Sequence, residues 1–322
     1  MKYQSVIDTM TLEQKCALLS GGDAFGTRPF KSLGIPRLLF SDGPHGLRVQ
    51  DGDANHLGIG GSKPATCFPT AATNSWDVEL GQEVGEALGE EALEQVVNVV
   101  LGPGLNIKRS PLCGRNFEYF SEDPVLTGHM AASYVKGIQS KGISACPKHF
   151  AANSQETRRM ASDSIIDERT LHEIYLAGFE YVVKNAHPQC IMSSYNLING
   201  TYVNESKELL TDTLRSEWGF EGAVVTDWIA THNHAQAVAA GSTFEMPAPG
   251  VGSVRELVDA VNSGAIAESD VDVRVDEALE LIFSTQIKED VDAFDREAHH
   301  QLARKVAAES AVLMKNDGVL PL

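Results

Sequence analysis

The run Gly219-Phe220-Glu221-Gly222-Ala223-Val224-Val225-Thr226-Asp227-Trp228 decides the fold. A short apolar stretch leads straight into a carboxylate and an indole. Its length and density suit a strand covered on both faces, the kind found in parallel sheets. Similar runs occur at 38–41, 96–101, 143–147, 190–194 and 241–246. Between them lie helical patterns over 77–95, 124–140, 167–185, 207–217 and 228–240, with later helices over 254–262 and 269–287. Strands alternating with helices predict an α/β fold with right-handed crossovers.

Two α/β architectures compete. A doubly wound sheet places a ligand at one switch point, whereas a barrel gathers polar residues from many strand ends. Here the strand candidates end in Ser41-Asp42, Lys148-His149, Tyr195-Asn196, Asp227-Trp228 and Glu245. That spread favours a (β/α)8 TIM-type barrel. Only six strands are clear, so some strands should be incomplete or irregular. The barrel is expected to occupy residues 1–294. Residues 295–322 are read as a C-terminal helix followed by the start of a linker, because the apolar Val319-Leu320-Pro321-Leu322 resembles the beginning of another element.

Composition narrows the function. The 322 residues are 43% hydrophobic, enough for a large core. They carry 26 Lys plus Arg against 44 Asp plus Glu, a net charge of −18. Such a surface repels phosphate backbones and anionic lipid, so neither nucleic acid nor a membrane is an expected partner. A neutral substrate such as a sugar is unaffected. No stretch approaches the roughly 20 apolar residues of a membrane span. The five cysteines, Cys16, Cys67, Cys113, Cys146 and Cys190, are odd in number and form no Cys-x-x-Cys. They read as reduced thiols in a cytoplasm.

Several segments carry chemistry. Asp227 stands where barrel enzymes keep their reactive groups, and Trp228 could stack on a sugar face. Asp227 could equally N-cap the following helix. Lys148-His149 offers donors at a strand end, or else one buried, satisfied histidine. Asp42 and Arg48 lie six residues apart across a Gly/Pro turn. They could hold vicinal hydroxyls or simply close the loop as a pair. In 114–124, Arg115 is the candidate site residue, while Glu122 and Asp123 read as helix-start residues. His232-Asn233-His234 is a poor metal pair, because i and i+2 do not share a helix face. The glycines of 57–62 and 101–104 lack the spacing of a phosphate cradle.

Taken together, these segments resemble glycoside hydrolase family 3, specifically its β-glucosidase-like members. The resemblance rests on Ser41-Asp42-Gly43-Pro44 through Arg48, Cys67-Phe68-Pro69-Thr70, Gly102-Pro103, and 114–124. It continues through Lys148-His149-Phe150, 167–171, Met192 to Asn196, Gly219 to Trp228, and Glu245-Met246-Pro247. It implies a retaining exo-glycosidase that cleaves a terminal β-glucosyl residue from a β-glucoside or short oligosaccharide, without metal or organic cofactor. By the same resemblance Asp227 is the nucleophile. Asp42, Arg48, Arg115, Lys148 and His149 hold sugar hydroxyls, Tyr195 lies beside the nucleophile, and Met192 and Trp228 wall the pocket. Arg48, Arg115 and Lys148 should therefore cluster.

Three departures stand out. The family's Ser-Asp-Trp-Gly reads Thr226-Asp227-Trp228-Ile229, and its Gly-Leu-Asp-Leu-Glu-Met reads Gly241-Ser242-Thr243-Phe244-Glu245-Met246. The family's two-domain members take their general acid/base from a Glu on a following α/β-sandwich domain. Single-domain relatives use a His after Lys-His-Phe, where this chain has Ala151-Ala152-Asn153-Ser154-Gln155. Glu118, Glu156 and Asp163 are conceivable acids, with nothing specific for any of them. Association with a sandwich domain, or self-association, is expected. Two rival readings are a non-catalytic sugar-binding barrel that has lost its acid, and a metal-dependent hydrolase.

Overall fold

The structure is a computed structural model that describes residues 1–50, 62–287 and 291–322. The glycine run from Gly58 to Gly61 lies outside the described residues. Strands β1 (Phe40–Ser41), β2 (Val99–Val100) and β3 (Ser144–Ala145) pair in parallel in that order. A short sheet of β4 (Asp163–Ser164), β6 (Leu197–Ile198) and β7 (Thr201–Tyr202) stands apart from them, whereas β5 (Cys190–Met192) pairs in parallel with β8 (Ala223–Val225). Single bridges complete the ring. Phe150 meets Ser193, Val225 meets Phe244, Ser20 meets Glu245, and Gly26 meets Leu39. The result is a TIM-like barrel with very short strands.

The expected strand over 241–246 is a correction. It contributes bridges at Phe244 and Glu245 but no regular strand. This segment is held between β8 on one side and the N-terminal loop on the other, and it runs at once into Pro247, which has no N–H to extend a ladder.

The helices match their sequence signals closely where caps are strong. Helices α1 (Gln4–Ile7) and α2 (Leu12–Leu18) precede β1. Helix α3 (Val78–Glu94) starts where Asp77 accepts the Glu79 and Leu80 N–H groups. Helix α4 (Pro124–Ser140) starts with Pro124 behind an Asp123 cap. The two pack very closely, because a Cβ at Gly137 would lie 2.3 Å from the Gln82 carbonyl oxygen. The 167–185 pattern becomes α5 (Glu168–Thr170), a π segment Leu171–Leu176 and α6 (Ala177–Ala186). The 207–217 pattern is wound as a π-helix, Glu208–Glu217. Helix α7 (His234–Ala240) begins six residues later than expected, capped by Asn233. Helices α8 (Val251–Asn262) and α9 (Glu268–Ser284) follow, and α10 (Arg296–Glu309) returns to α3. There His299 lies between Glu90 and Glu91, at 3.0 and 2.9 Å.

Thr243, where the resembling family has an acid, is accounted for at the barrel's edge. Its hydroxyl accepts the Val224 N–H (3.0 Å) and donates to Glu277 of α9 (2.7 Å). Glu277 also binds Arg215 and Arg274, each at 2.9 Å. One carboxylate from α9 thus serves two nearly buried guanidiniums. Burial brings Arg215 down to about 10 despite that partner. Glu277→Gln is therefore expected to lower the urea unfolding free energy by about 3 kcal/mol or more, because it strands two charges in the interior.

Candidate active site

Apart from Phe25, every group of the site stands at the C-terminal end of a strand or in a loop that follows one. Asp42 follows β1, Leu101 follows β2, Lys148 and His149 follow β3, Met192 ends β5, and Asp227 and Trp228 follow β8. Arg115, Phe117 and Glu118 come from the loop between β2 and α4, Arg159 from the loop after β3, and Phe25 from the N-terminal loop. Together with Tyr195 these residues line a cavity of about 350 Å³, a size usual for a small-molecule site.

Charge is paired at its floor. Lys148 is 3% exposed and binds Asp42 at 2.9 Å, with Glu118 at 3.8 Å. Glu118 also binds the Arg115 Nε. Burial works against the ammonium, yet Asp42 and Glu118 outweigh it and raise the Lys148 pKa. Burial likewise opposes ionisation of Asp42, but the Lys148 ammonium holds its carboxyl below the ordinary range.

His149 is fixed on every side. Its peptide N–H donates to Asn106 Oδ1 (2.7 Å), and its carbonyl accepts from Asn106 Nδ2 (2.8 Å). Arg115 Nη2 lies 2.8 Å from Nε2 and can only donate, so Nε2 is the acceptor and the proton sits on Nδ1. Tyr119 Oη takes it at 3.1 Å. Burial first, then the neighbouring Arg115 and Lys148 charges, push this histidine well below its usual pKa.

Asp227 lies at the centre. One oxygen, Oδ1, accepts the Trp228 N–H at 2.7 Å. The other, Oδ2, is buried and makes no hydrogen bond of ordinary length and angle among the described residues. It lies 3.5 Å from His149 Nε2 and 3.8 Å from Arg115 Nη1, which is itself without a partner. Burial raises the Asp227 pKa. Arg115, Lys148, the Trp228 N–H and the Tyr195 hydroxyl all oppose that rise. The Trp228 indole is pinned by its N–H to Ala24 O (2.7 Å) and packs 5.3 Å from Phe25. The Arg159 guanidinium lies 4.4 Å over the Tyr195 ring and binds Glu156 at 2.8 Å.

Asp227 does not N-cap α7; Asn233 does, by accepting the Gln236 N–H (2.8 Å). Of the nine residues singled out in the sequence, eight line this one cavity: Asp42, Arg115, Lys148, His149, Met192, Tyr195, Asp227 and Trp228. Arg48 is not among them. Its N–H closes the turn onto Asp42 O (3.0 Å), while its exposed side chain borders a neighbouring cavity with Asp23, Arg37 and Lys63. Spacing alone could not say on which side of the turn it falls.

Phe25, Leu101, Phe117 and Arg159 were missed. Phe117 and Arg159 sit in loops without periodicity, although each lies close in sequence to a residue that was found. Phe25 has no signal, since it reaches the site from the opposite end of the chain. Among the conceivable acids, Glu118 is tied to Arg115 and Lys148, Glu156 is tied to Arg159, and Asp163 lies in β4. His232 stacks on Tyr202 at 3.7 Å, while His234 binds Ser253 and Glu245.

A TIM-like barrel that gathers paired cations around an aimed carboxylate at its C-terminal mouth is a barrel of the glycosyl hydrolase type. The chain belongs to glycosyl hydrolase family 3, whose N-terminal domain matches residues 35–281. It is 51% identical over 323 residues to thermostable β-glucosidase B of Acetivibrio thermocellus, covering 99% of this chain and 43% of that protein. It is 47% identical to an exo-α-(1→6)-L-arabinopyranosidase of Bifidobacterium longum, with the same coverage. A solved structure of β-glucosidase 3B from Thermotoga neapolitana in complex with glucose superposes with a TM-score of 0.91 at 39% identity. It covers 100% of this chain and 48% of that one. The chain thus spans less than half the length of these relatives. Among the described residues no helix is long and apolar enough to cross a membrane.

The buried histidine gives a pH test. Unfolded, His149 titrates near 6.5; folded, it stays neutral to much lower pH. The unfolded state therefore binds the extra proton, and stability is lost as pH falls below 6.5. The gap in urea midpoint between wild type and His149→Gln should shrink from pH 7 to pH 5. A constant gap would contradict the neutral imidazole.

Proposed function

We propose that this chain is the nucleophile-bearing barrel of a retaining, exo-acting β-glucosidase that works in the cytoplasm. The observation that carries the reading is Asp227. One oxygen is fixed by the Trp228 N–H, and the other is buried without a hydrogen bond. A carboxylate oxygen left unsatisfied beside the Arg115 guanidinium is suited to meeting an electron-poor carbon. In this reading Asp227 Oδ2 attacks the anomeric carbon and forms a glycosyl ester, while the bond to the leaving oxygen breaks. Water then hydrolyses the ester. Asp42, Lys148, Arg115 and His149 hold the hydroxyls of the terminal sugar, and Tyr195 and Trp228 shape its walls.

Asp42 and Glu118, the other two carboxylates in the cavity, are both committed to Lys148 or Arg115. The general acid is accordingly assigned to a group outside the described residues, on an associated sandwich domain. The names of the Acetivibrio thermocellus relative and the Thermotoga neapolitana structure support the β-glucosyl substrate. The free state of all five cysteines supports a reducing compartment.

The test uses 2,4-dinitrophenyl 2-deoxy-2-fluoro-β-D-glucoside, whose leaving group needs little protonation. Peptide mapping should find the label on Asp227, and Asp227→Asn should abolish labelling. The reaction needs the ionised carboxylate. Its rate should fall as pH drops through a pKa above the ordinary 3.8. A label on another residue would overturn the assignment of Asp227, and binding of glucose with no labelling would instead favour a sugar-binding module.

A further inference from the structure

One cation of the cavity takes no part in balancing its floor. Lys148, Asp42, Glu118 and Arg115 pair among themselves. Arg159 lines the same cavity but is engaged elsewhere. Its Nη1 donates to Glu156 Oε2 at 2.8 Å, and its guanidinium lies 4.4 Å from the centre of the Tyr195 ring. A guanidinium can do both at once because it is planar: the edge donates while the face stacks. The arrangement is anchored. Glu156 Oε1 accepts from Asn153 Nδ2 at 3.3 Å, and the carbonyl of Asn153, which is 1% exposed, accepts the Tyr119 hydroxyl at 3.3 Å. Arg159 is thereby held against Tyr195 by a chain of bonds that starts in the buried interior.

Tyr195 is 5% exposed, and its hydroxyl favours the ionised form of Asp227. A cation against the face of a phenol draws electron density out of the ring, which makes the hydroxyl a stronger hydrogen-bond donor. Burial, and after it the Asp227 charge, push the Tyr195 pKa up, and Arg159 pulls against them. Other charges bear on Asp227 as well. Arg115 stands 3.8 Å and the neutral His149 3.5 Å from Oδ2, and Lys148 acts from beside Asp42 and Glu118. Arg115 also acts on Tyr195. Only Arg159 stacks on the Tyr195 ring among the described residues.

We infer that Arg159 is a positioning residue for the nucleophile: stacked on the Tyr195 ring, it holds and polarises the phenol whose hydroxyl supports the Asp227 carboxylate. The inference rests on the reading of Asp227 as nucleophile and deepens it. Arg159 acts through Tyr195 and not on the sugar. Its effect therefore vanishes when the Tyr195 hydroxyl is removed, whereas the direct field of a charge would remain. The sign follows from the same chain. A weaker Tyr195 donor supports the carboxylate less, so Asp227 takes up its proton at a higher pH.

The experiment follows labelling of the chain by 2,4-dinitrophenyl 2-deoxy-2-fluoro-β-D-glucoside, in short pulses after a jump to each pH. It compares wild type, Arg159→Met, Arg159→Gln, Tyr195→Phe and the double variant Arg159→Met with Tyr195→Phe. Both neutral replacements of Arg159 should move the midpoint of the rate up by about half a pH unit, with affinity for the reagent within about two-fold of wild type. Tyr195→Phe should raise the midpoint by itself, and Arg159→Met should add no further shift in that background. A shift that persists without the Tyr195 hydroxyl would overturn the inference. So would an unmoved midpoint in both Arg159 variants, or a loss of affinity in place of the shift, which would put Arg159 on the sugar. A wild type that takes no label on Asp227 would refute the nucleophile reading itself, whereas a labelled wild type with unmoved variants refutes this inference alone.

Discussion

A lysine ammonium inside a protein is costly unless carboxylates surround it, and Lys148 is 3% exposed. That single constraint organises the mouth of this barrel. Asp42 from the first strand end and Glu118 from the loop after the second must both approach Lys148 on the third. Glu118 in turn draws in Arg115. Three strand ends are tied together at one point, although each strand is only two residues long. Strands this short contribute few ladder hydrogen bonds. The charge network and the packing of α3 on α4 therefore share the task of holding the barrel's geometry.

The same network sets protonation states. Arg115 donates to His149 Nε2, which forces the imidazole proton onto Nδ1 and keeps the ring neutral. A neutral His149 and a fully paired Lys148 leave Arg115 Nη1 facing Asp227 without a bond. The nearby positive charge offsets the burial of Asp227 only in part, and Oδ2 makes no hydrogen bond of ordinary length and angle among the described residues. In the proposed reading, a close hydrogen bond to that oxygen would stabilise the ground state and blunt its reactivity. The floor thus permits an ionised carboxylate in a buried place while leaving one of its oxygens free.

Much of this was legible in the sequence because buried parallel strands advertise themselves. An apolar run that ends abruptly in Asp, Lys or Tyr marks both a strand and the end of the barrel on which it opens. Most of the eight singled-out residues that share one cavity stand at such strand ends, whereas Arg115 comes from a loop and Met192 is named by the family resemblance alone. Arg48 lies outside that cavity, because a turn residue's side of the chain depends on backbone angles that spacing does not encode. The helix expected over 228–240 fails in its first half for a related reason. The turn closed by Ala230 onto Asp227 places Ile229 in the left-handed region and postpones the helix to Asn233. The π segments at Leu171–Leu176 and Glu208–Glu217 were equally invisible, since an apolar stripe reads much the same whether the backbone bonds span four residues or five. Arg159 was missed because its loop has no period at all.

Thr243 carries the last step. The resembling family has an acid here, and the chain keeps two guanidiniums, Arg215 and Arg274, close by. A threonine cannot neutralise them, so a carboxylate must come from elsewhere, and Glu277 on α9 supplies it while accepting the threonine hydroxyl. Charge is thus conserved in the neighbourhood rather than at the position. The same reasoning applies at the mouth, where Asp42 and Glu118 are consumed in neutralising Lys148 and Arg115. Each is already engaged by a cation at the floor of the cavity. In the proposed reading, the role of proton donor therefore falls to a group that stands outside this network.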